Sequence, residues 1–203
     1  MTRNDMGEFS EFELQELYMK IGTATKHEEC GAVGTAEEEL DAKTITKNYR
    51  GVPVKKRTKG TGAGTLKLNI HMNYEKYCLM FGMYDESLKT GVRAYGMDSK
   101  HPNFGLTAKV LNEDDETKYK AYPNCTVTSS LSRKIENGGE EVAEAELEIA
   151  IQPDEYGYGM YEARAEDIED AELASAWMED FTPELVRVSE ENSEESTNQE
   201  PTV

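Results

Sequence analysis

Glu144, Glu146 and Glu148 alternate with Ala143, Ala145, Leu147, Ile149 and Ile151. A period of two puts the carboxylates on one face of a strand and the apolar set on the other, whereas a helix would scatter the glutamates. Such a row reads either as the solvated outer face of an antiparallel sheet or as a surface that must not stick to a polyanion. Carboxylate pairs can also do acid–base work, but in a chain with 41 acids their abundance singles out no pair. His27, His71 and His101 have no local serine or cysteine signature, and the GTGAG stretch lies between two strand segments, where no helix start follows to hold phosphate. His27, Glu29 and Cys30 offer metal donors without a second pair downstream, short of the usual four-ligand zinc site. We therefore expect no enzyme, no cofactor and no metal. Cys30, Cys78 and Cys125, without a CxxC pair, suit reduced thiols.

The element that must position the glutamates is a hairpin within residues 120–161. Cys125, Val127 and Leu131 sit at odd positions of its first strand, so the apolar faces match only across an odd-numbered turn. Asn137-Gly138-Gly139 fits as a three-residue loop. That register sets Leu131 opposite Ala145, Val127 opposite Ile149 and Cys125 opposite Ile151. The other face then carries Thr128, Ser130 and Ser132 beside Glu144, Glu146 and Glu148.

Upstream, residues 12–25 satisfy both helical and strand spacings, and Leu17, Met19 and Ile21 favour a strand over 17–22. Residues 26–41 read as a glycine-bearing acidic loop. TITKNY reads as a strand, followed by a long basic connection over residues 50–64 that contains Arg50, Val52, Val54, Lys55, Lys56, Arg57 and Lys59. TLKLNIHM is a half-buried strand. Asn73 caps a short helix in which Tyr74, Tyr77, Cys78 and Phe81 share a face before Gly82, and the aromatics read as packing. Residues 91–104 are turn-rich. LTAKV and ETKYKAY pair across residues 112–115. Ile168, Ala171, Ala174, Trp177, Met178 and Phe181 give a second amphipathic helix over 167–181, anchored by Trp177. One domain over residues 1–188 and a disordered acidic segment over 189–203 follow.

Charge is unevenly spread. The net is −19, yet residues 42–74 carry eight lysines and arginines and no acid, while from position 153 onward 16 acids face two bases. So acidic a chain is a poor tight ligand for free nucleic acid, because Lys and Arg neutralising phosphate supply most non-specific affinity. Taken alone the basic stretch reads as a solvated loop; set against the acidic remainder it also suits docking on another copy of the chain. No run approaches the roughly 20 apolar residues of a membrane span, and the start lacks a signal-peptide core, so residence in a cytosol is expected.

The segments RGVPVKKRTKGTGAGTLKLNIHMNYEKYCLMFGM, GVRAYGMDSKHPNF and KAYPNCTVTSSLSRKIENGGEEVAEAELEIAIQPDEYGYGMYEA resemble, in order and spacing, the major tail proteins (tail tube proteins) of long non-contractile-tailed bacteriophages of Gram-positive hosts. The likeness spans residues 9–181 and leaves the acidic segment from position 189 unmatched. It implies a mainly β fold, an antiparallel β-sandwich flanked by a short α-helix, similar to the tubes of contractile tails and type VI secretion. It implies a virion protein that is assembled in the host cytoplasm as stacked hexameric rings around a tape measure protein. Tail terminator and distal tail proteins are further implied partners, with DNA passing down the lumen. By that resemblance Glu144, Glu146, Glu148, Thr128, Ser130 and Ser132 would face the lumen, and residues 50–64 would reach the adjacent ring. Lys67 and His71, on a strand that could neighbour the glutamates, would either pair with them or lie outside the channel. Two alternatives share the same residues: the tube of a contractile injection or secretion device, and a monomeric acidic β-sandwich binding module.

Overall fold

A computed structural model describes residues 9–135, 137–138 and 144–188. The expected turn residue Gly139, Ala143 of the glutamate-bearing strand and the acidic segment 189–203 lie outside these. The chain is mainly β, with the antiparallel sandwich and flanking short helix that the resemblance implies, built from strands several of which the alternations predict. Strands β1 (Glu13–Ile21), β2 (Glu28–Glu29), β3 (Gly31–Tyr49) and β4 (Val52–Met72) precede helix α1 (Tyr74–Met80). Then come β5 (Phe104–Leu111), β6 (Thr117–Val127), β7 (Ala145–Ile151), β8 (Tyr161–Arg164) and helix α2 (Ala171–Asp180). All pairings are antiparallel, in the order β2-β1-β5-β6-β7-β4-β3, with β8 added beside β6.

The layers β1-β5-β6 and β7-β4-β3 close over one core, in which Leu17, Met19, Leu106, Tyr122 and Val127 meet Leu66, Leu68, Ile70, Leu147 and Ile149. Helix α1 seals one end with Tyr77, Cys78, Met80 and Phe81. Asn73 Oδ1 accepts the amides of Glu75 (2.9 Å) and Lys76 (3.4 Å), satisfying donors the first turn leaves open. At the other end Gly82, at φ +59°, lets its own amide reach Leu79 O and that of Met83 reach Cys78 O, a Schellman stop. Tyr74 departs from its expected packing role: it is 58% exposed, because the helix face toward the core is filled from Tyr77 onward.

Helix α2 covers the outer face of β5 and β6 with a smaller cluster of Trp177, Phe181 and Ala121. It begins at Ala171 rather than 167, because Asp170 Oδ1 accepts the amides of Glu172 and Leu173 and caps it there. Residues 165–167 form a separate 3-10 turn. Among the described residues no helix is long and apolar enough to cross a membrane.

Strand β1, next to the two-residue end strand β2, and strand β3 at the opposite end of the order face each other across a cleft of about 420 Å³. Lys120 from β6 and Glu38 from β3 both point inward there. Lys120 Nζ lies 2.7 Å from Glu38 and 2.8 Å from Glu11, and Tyr122 Oη donates to Glu38 at 3.0 Å. Burial opposes the Lys120 charge, yet its bonds to Glu11 and Glu38 hold its pKa above the ordinary lysine value. Burial likewise pushes the Glu11 carboxyl up, but Lys120 and Lys118 outweigh it and hold it low. The Glu11 contribution is therefore present above the ordinary carboxylate pKa and lost as pH falls through the lowered folded value. The Lys120 contribution is present below the ordinary lysine pKa and lost as pH rises through the raised one. Lys120→Met should cost about 3 kcal/mol at neutral pH, because Glu38 keeps only Tyr122 in a largely buried place. Urea unfolding should show the gap to wild type narrowing below about pH 4; an unchanged gap would mean the cluster adds nothing through charge.

Candidate functional site

Strand β7 presents Glu146 and Glu148 to solvent, and its register supplies their neighbours. Glu148 stands opposite Lys67 and Glu146 opposite Asn69 on β4; Lys67 stands opposite Glu37 and Thr65 opposite Glu39 on β3. Residues directly opposite in an antiparallel ladder share a face, so the polar face spans three strands. It holds Glu37, Glu39, Glu144, Glu146 and Glu148 against one lysine. Lys67 Nζ is 3.9 Å from Glu37, and His71 Nε2 is 3.6 Å from Glu144. Lys67 and His71 are thus inside the acidic face and paired. Glu144, just before β7, reaches across β4 toward Gly34, where a β-carbon would collide with its carboxylate.

The hydroxyls are placed differently from expectation. The Cys125–Ile151 and Val127–Ile149 pairs form as the alternation requires, but β6 ends at Val127 and no ladder carries Leu131 opposite Ala145. Thr128 and Ser129 amides both donate to Glu148 O, at 2.8 and 3.2 Å, and Thr128 Oγ1 donates to the same oxygen. This convergence on one carbonyl turns the chain out of the sheet. Ser130 and Ser132 lie beyond the end of β6, outside its ladder with β7, and Ser132 O accepts the Tyr77 hydroxyl at 3.1 Å. Ser129, whose Oγ accepts the Glu148 amide at 3.1 Å, is the hydroxyl built into this edge.

The basic connection is not a loop. Strands β3 and β4 pair without interruption of sense from Gly31–Met72 to Tyr49–Val52, and Arg50-Gly51 turns between them at φ +49° and +81°. Positive φ at both central residues is the hairpin turn that matches strand twist. The acidic residues 31–41, read as loop, belong to β3; their glycines and triple glutamate hide an alternation that only pairing with β4 reveals. Neither β7 nor any other described strand pairs with residues 42–60, so they form a two-stranded arm, about 26 Å long at ~3.3 Å per residue.

Its faces differ. Ladder pairs Lys43–Lys59, Ile45–Arg57, Lys47–Lys55 and Tyr49–Val52 make one face cationic with an apolar spine. Ile45, Tyr49 and Val52 are 57%, 61% and 61% exposed. Thr44–Thr58 and Thr46–Lys56 make the other face hydroxylated, with Thr44 and Thr58 hydroxyls 2.9 Å apart. Val54 falls in the register shift near Lys47, and Arg50 lies over the Tyr49 ring at 5.4 Å. Sequence reasoning missed Ile45 and Tyr49, although their odd spacing with Lys43 and Lys47 is the legible signal.

Among the described residues no three histidine, cysteine or acidic side chains are placed to hold a metal. Cys30 Sγ donates to Leu17 O at 3.2 Å, and burial pushes its thiol up to about 12, which makes it a packed, protonated group. His27 is buried with Nδ1 3.2 Å from Glu179 O.

The fold and these surfaces define an antiparallel β-sandwich with a projecting basic arm. No family model matches the chain, and no curated protein matches it. Among solved structures it is similar to the tube-terminating cap of an anti-feeding prophage, determined by cryo-EM. That likeness has a TM-score of 0.43 and 10% identity, and covers 81% of this chain and 99% of that one. A likeness at that level identifies no function.

Proposed function

We propose that this chain is a structural subunit of a bacteriophage tail tube, assembling with copies of itself as stacked hexameric rings through which DNA passes. The observation that carries the reading is that the β3–β4 hairpin continues a three-strand acidic face, shared with β7, into an arm bearing exposed cations and apolar side chains. The arm's cations complement acidic residues of a neighbouring copy other than the lumen glutamates, which favours a defined register between copies. The sequence resemblance to tail tube proteins supports the same reading.

In it, Glu144, Glu146 and Glu148, with Glu37 and Glu39, face the lumen. A conduit for DNA needs such a wall, because a few unpaired lysines per ring, repeated over many rings, would arrest transit by summed attraction to phosphate. Lys67 does not spoil the wall, since Glu37 and Glu148 flank it. The repulsion acts within about 8 Å of the surface at physiological salt. A tape measure protein would fill the lumen before DNA does, and tail terminator and distal tail proteins would cap the tube's ends. The role needs no catalytic residue and no cofactor.

Negative-stain electron microscopy with light scattering, at low and high protein concentration, tests the proposal. Rings or hollow tubes with sixfold end views are expected at high concentration. Compact monomers throughout, even with preformed tail tips added as nuclei, would overturn it in favour of a monomeric binding module.

A further inference from the structure

The foot of the arm and the last described residues lie side by side. A β-carbon added at Gly62 would come within 2.6 Å of Gly157 O, so the arm's base rests on the loop that follows β7. In that loop the Tyr156 ring lies under the Arg187 guanidinium at 3.9 Å, and its hydroxyl donates to Glu184 Oε1 at 3.3 Å. Arg187, one residue before the last described position, therefore sits near the foot of the arm. Residues 189–203 follow it in the sequence. They carry Glu190, Glu191, Glu194, Glu195 and Glu200 and no lysine or arginine.

The arm offers the matching charges. Lys43, Lys47, Lys55, Arg57 and Lys59 share its cationic face, are exposed, and among the described residues have no carboxylate within 4 Å. Several cations of the body are already paired: Lys26 with Glu179 and Asp180, Lys67 with Glu37, and Lys118 and Lys120 with Glu11. We infer that the arm's cationic face is the docking surface for the chain's own residues 190–200. Twelve residues from Val188 to Glu200 reach at most about 40 Å. Lys59 to Lys55 lie about 10 to 23 Å from Gly62 along the arm. The tether holds the acidic segment at millimolar effective concentration, so many weak charge contacts suffice.

The docking itself needs no second molecule. Its consequence rests on the tube reading: the arm exchanges its own acidic segment for the acidic surface of a neighbour, so the segment sets the salt and protein concentration at which assembly begins.

A nitroxide on Ser196→Cys tests this in dilute monomer, because Cys30, Cys78 and Cys125 are buried from the label. At low salt the amide resonances of residues 43–59 should lose roughly half their intensity or more, as expected for a tethered contact at millimolar effective concentration. The loss should vanish in about 1 M salt and on replacing the five glutamates of residues 190–200 by glutamine. No loss on the arm at low salt, or a loss that survives the glutamine substitutions, overturns the inference. Tubes without this broadening would sink the docking alone, and broadening without tubes would sink the tube reading alone.

Discussion

Replacing residues 43–59 by an Asn-Gly turn between Ala42 and Gly60 should abolish tube formation while leaving the monomer folded. The fold survives because no other described strand pairs with the arm and the core draws no residue from it. Deletion must stop short of Gly64, which pairs with Ile151 and packs against the Glu39 backbone. What is lost is the contact between copies. Ile45, Tyr49 and Val52 would together bury on the order of 5 kcal/mol of apolar surface in a well-packed interface. Half of that, after ordering costs, raises the concentration needed for assembly about 70-fold per contact, and each ring makes several. Reversing charge alone, with Lys55→Glu, Arg57→Glu and Lys59→Glu, should weaken assembly most at low salt and less at high salt, because screening removes what the reversal opposes. Pelleting and electron microscopy across salt concentrations would check both. Tubes formed at unchanged concentration by the arm-less chain would place the contact elsewhere.

Trp177→Ala should destabilise the monomer by about 4 kcal/mol and lower the melting temperature by about 10 °C or more. Trp177 is 2% exposed, stacks on Tyr119 with centroids 5.9 Å apart, and lies 5.1 Å from Phe181. Its indole N–H donates to Lys120 O at 3.3 Å. The cluster it anchors is separate from the main core, so removing it leaves α2 held by Thr107 Oγ1 donating to Met178 O at 2.7 Å and by contacts at its end. There the His27 amide donates to Glu179 O, and Lys26 pairs with Glu179 and Asp180. Exposed ion pairs of that kind are worth little. Trp177→Phe should cost only about 1–2 kcal/mol, the indole bond and some volume. Far-UV circular dichroism on heating would show the difference, and a loss under about 1 kcal/mol for the alanine variant would mean α2 is held by something other than its apolar face.

Much of the fold was legible because it is written locally. The β7 alternation, the Leu66, Leu68 and Ile70 stripe, the Asn73 cap and the Gly82 stop each depend on a few neighbouring residues, and each forms. Errors fell where a local signal was ambiguous or absent. Residues 31–41 looked like a loop because Gly31, Gly34 and three successive glutamates obscure any period. Thr128, Ser130 and Ser132 continued the alternation in sequence, yet β6 ends at Val127, where Thr128 and Ser129 converge on Glu148 O.

Taken alone, the sequence determined which residues share a face in β7 and in the inner half of β4, where both amphipathic helices lie, and that eight bases stand apart from an acidic remainder. It did so because side-chain period, capping and composition are properties of short stretches. Only the tertiary structure decided that β3 lies beside β4, which adds Glu37 and Glu39 to the acidic face and extends the basic stretch into an arm. Only it set Glu38 inward against Lys120. The reason is physical: strand partners are chosen by contacts between residues far apart in the chain, after each strand's own pattern is fixed.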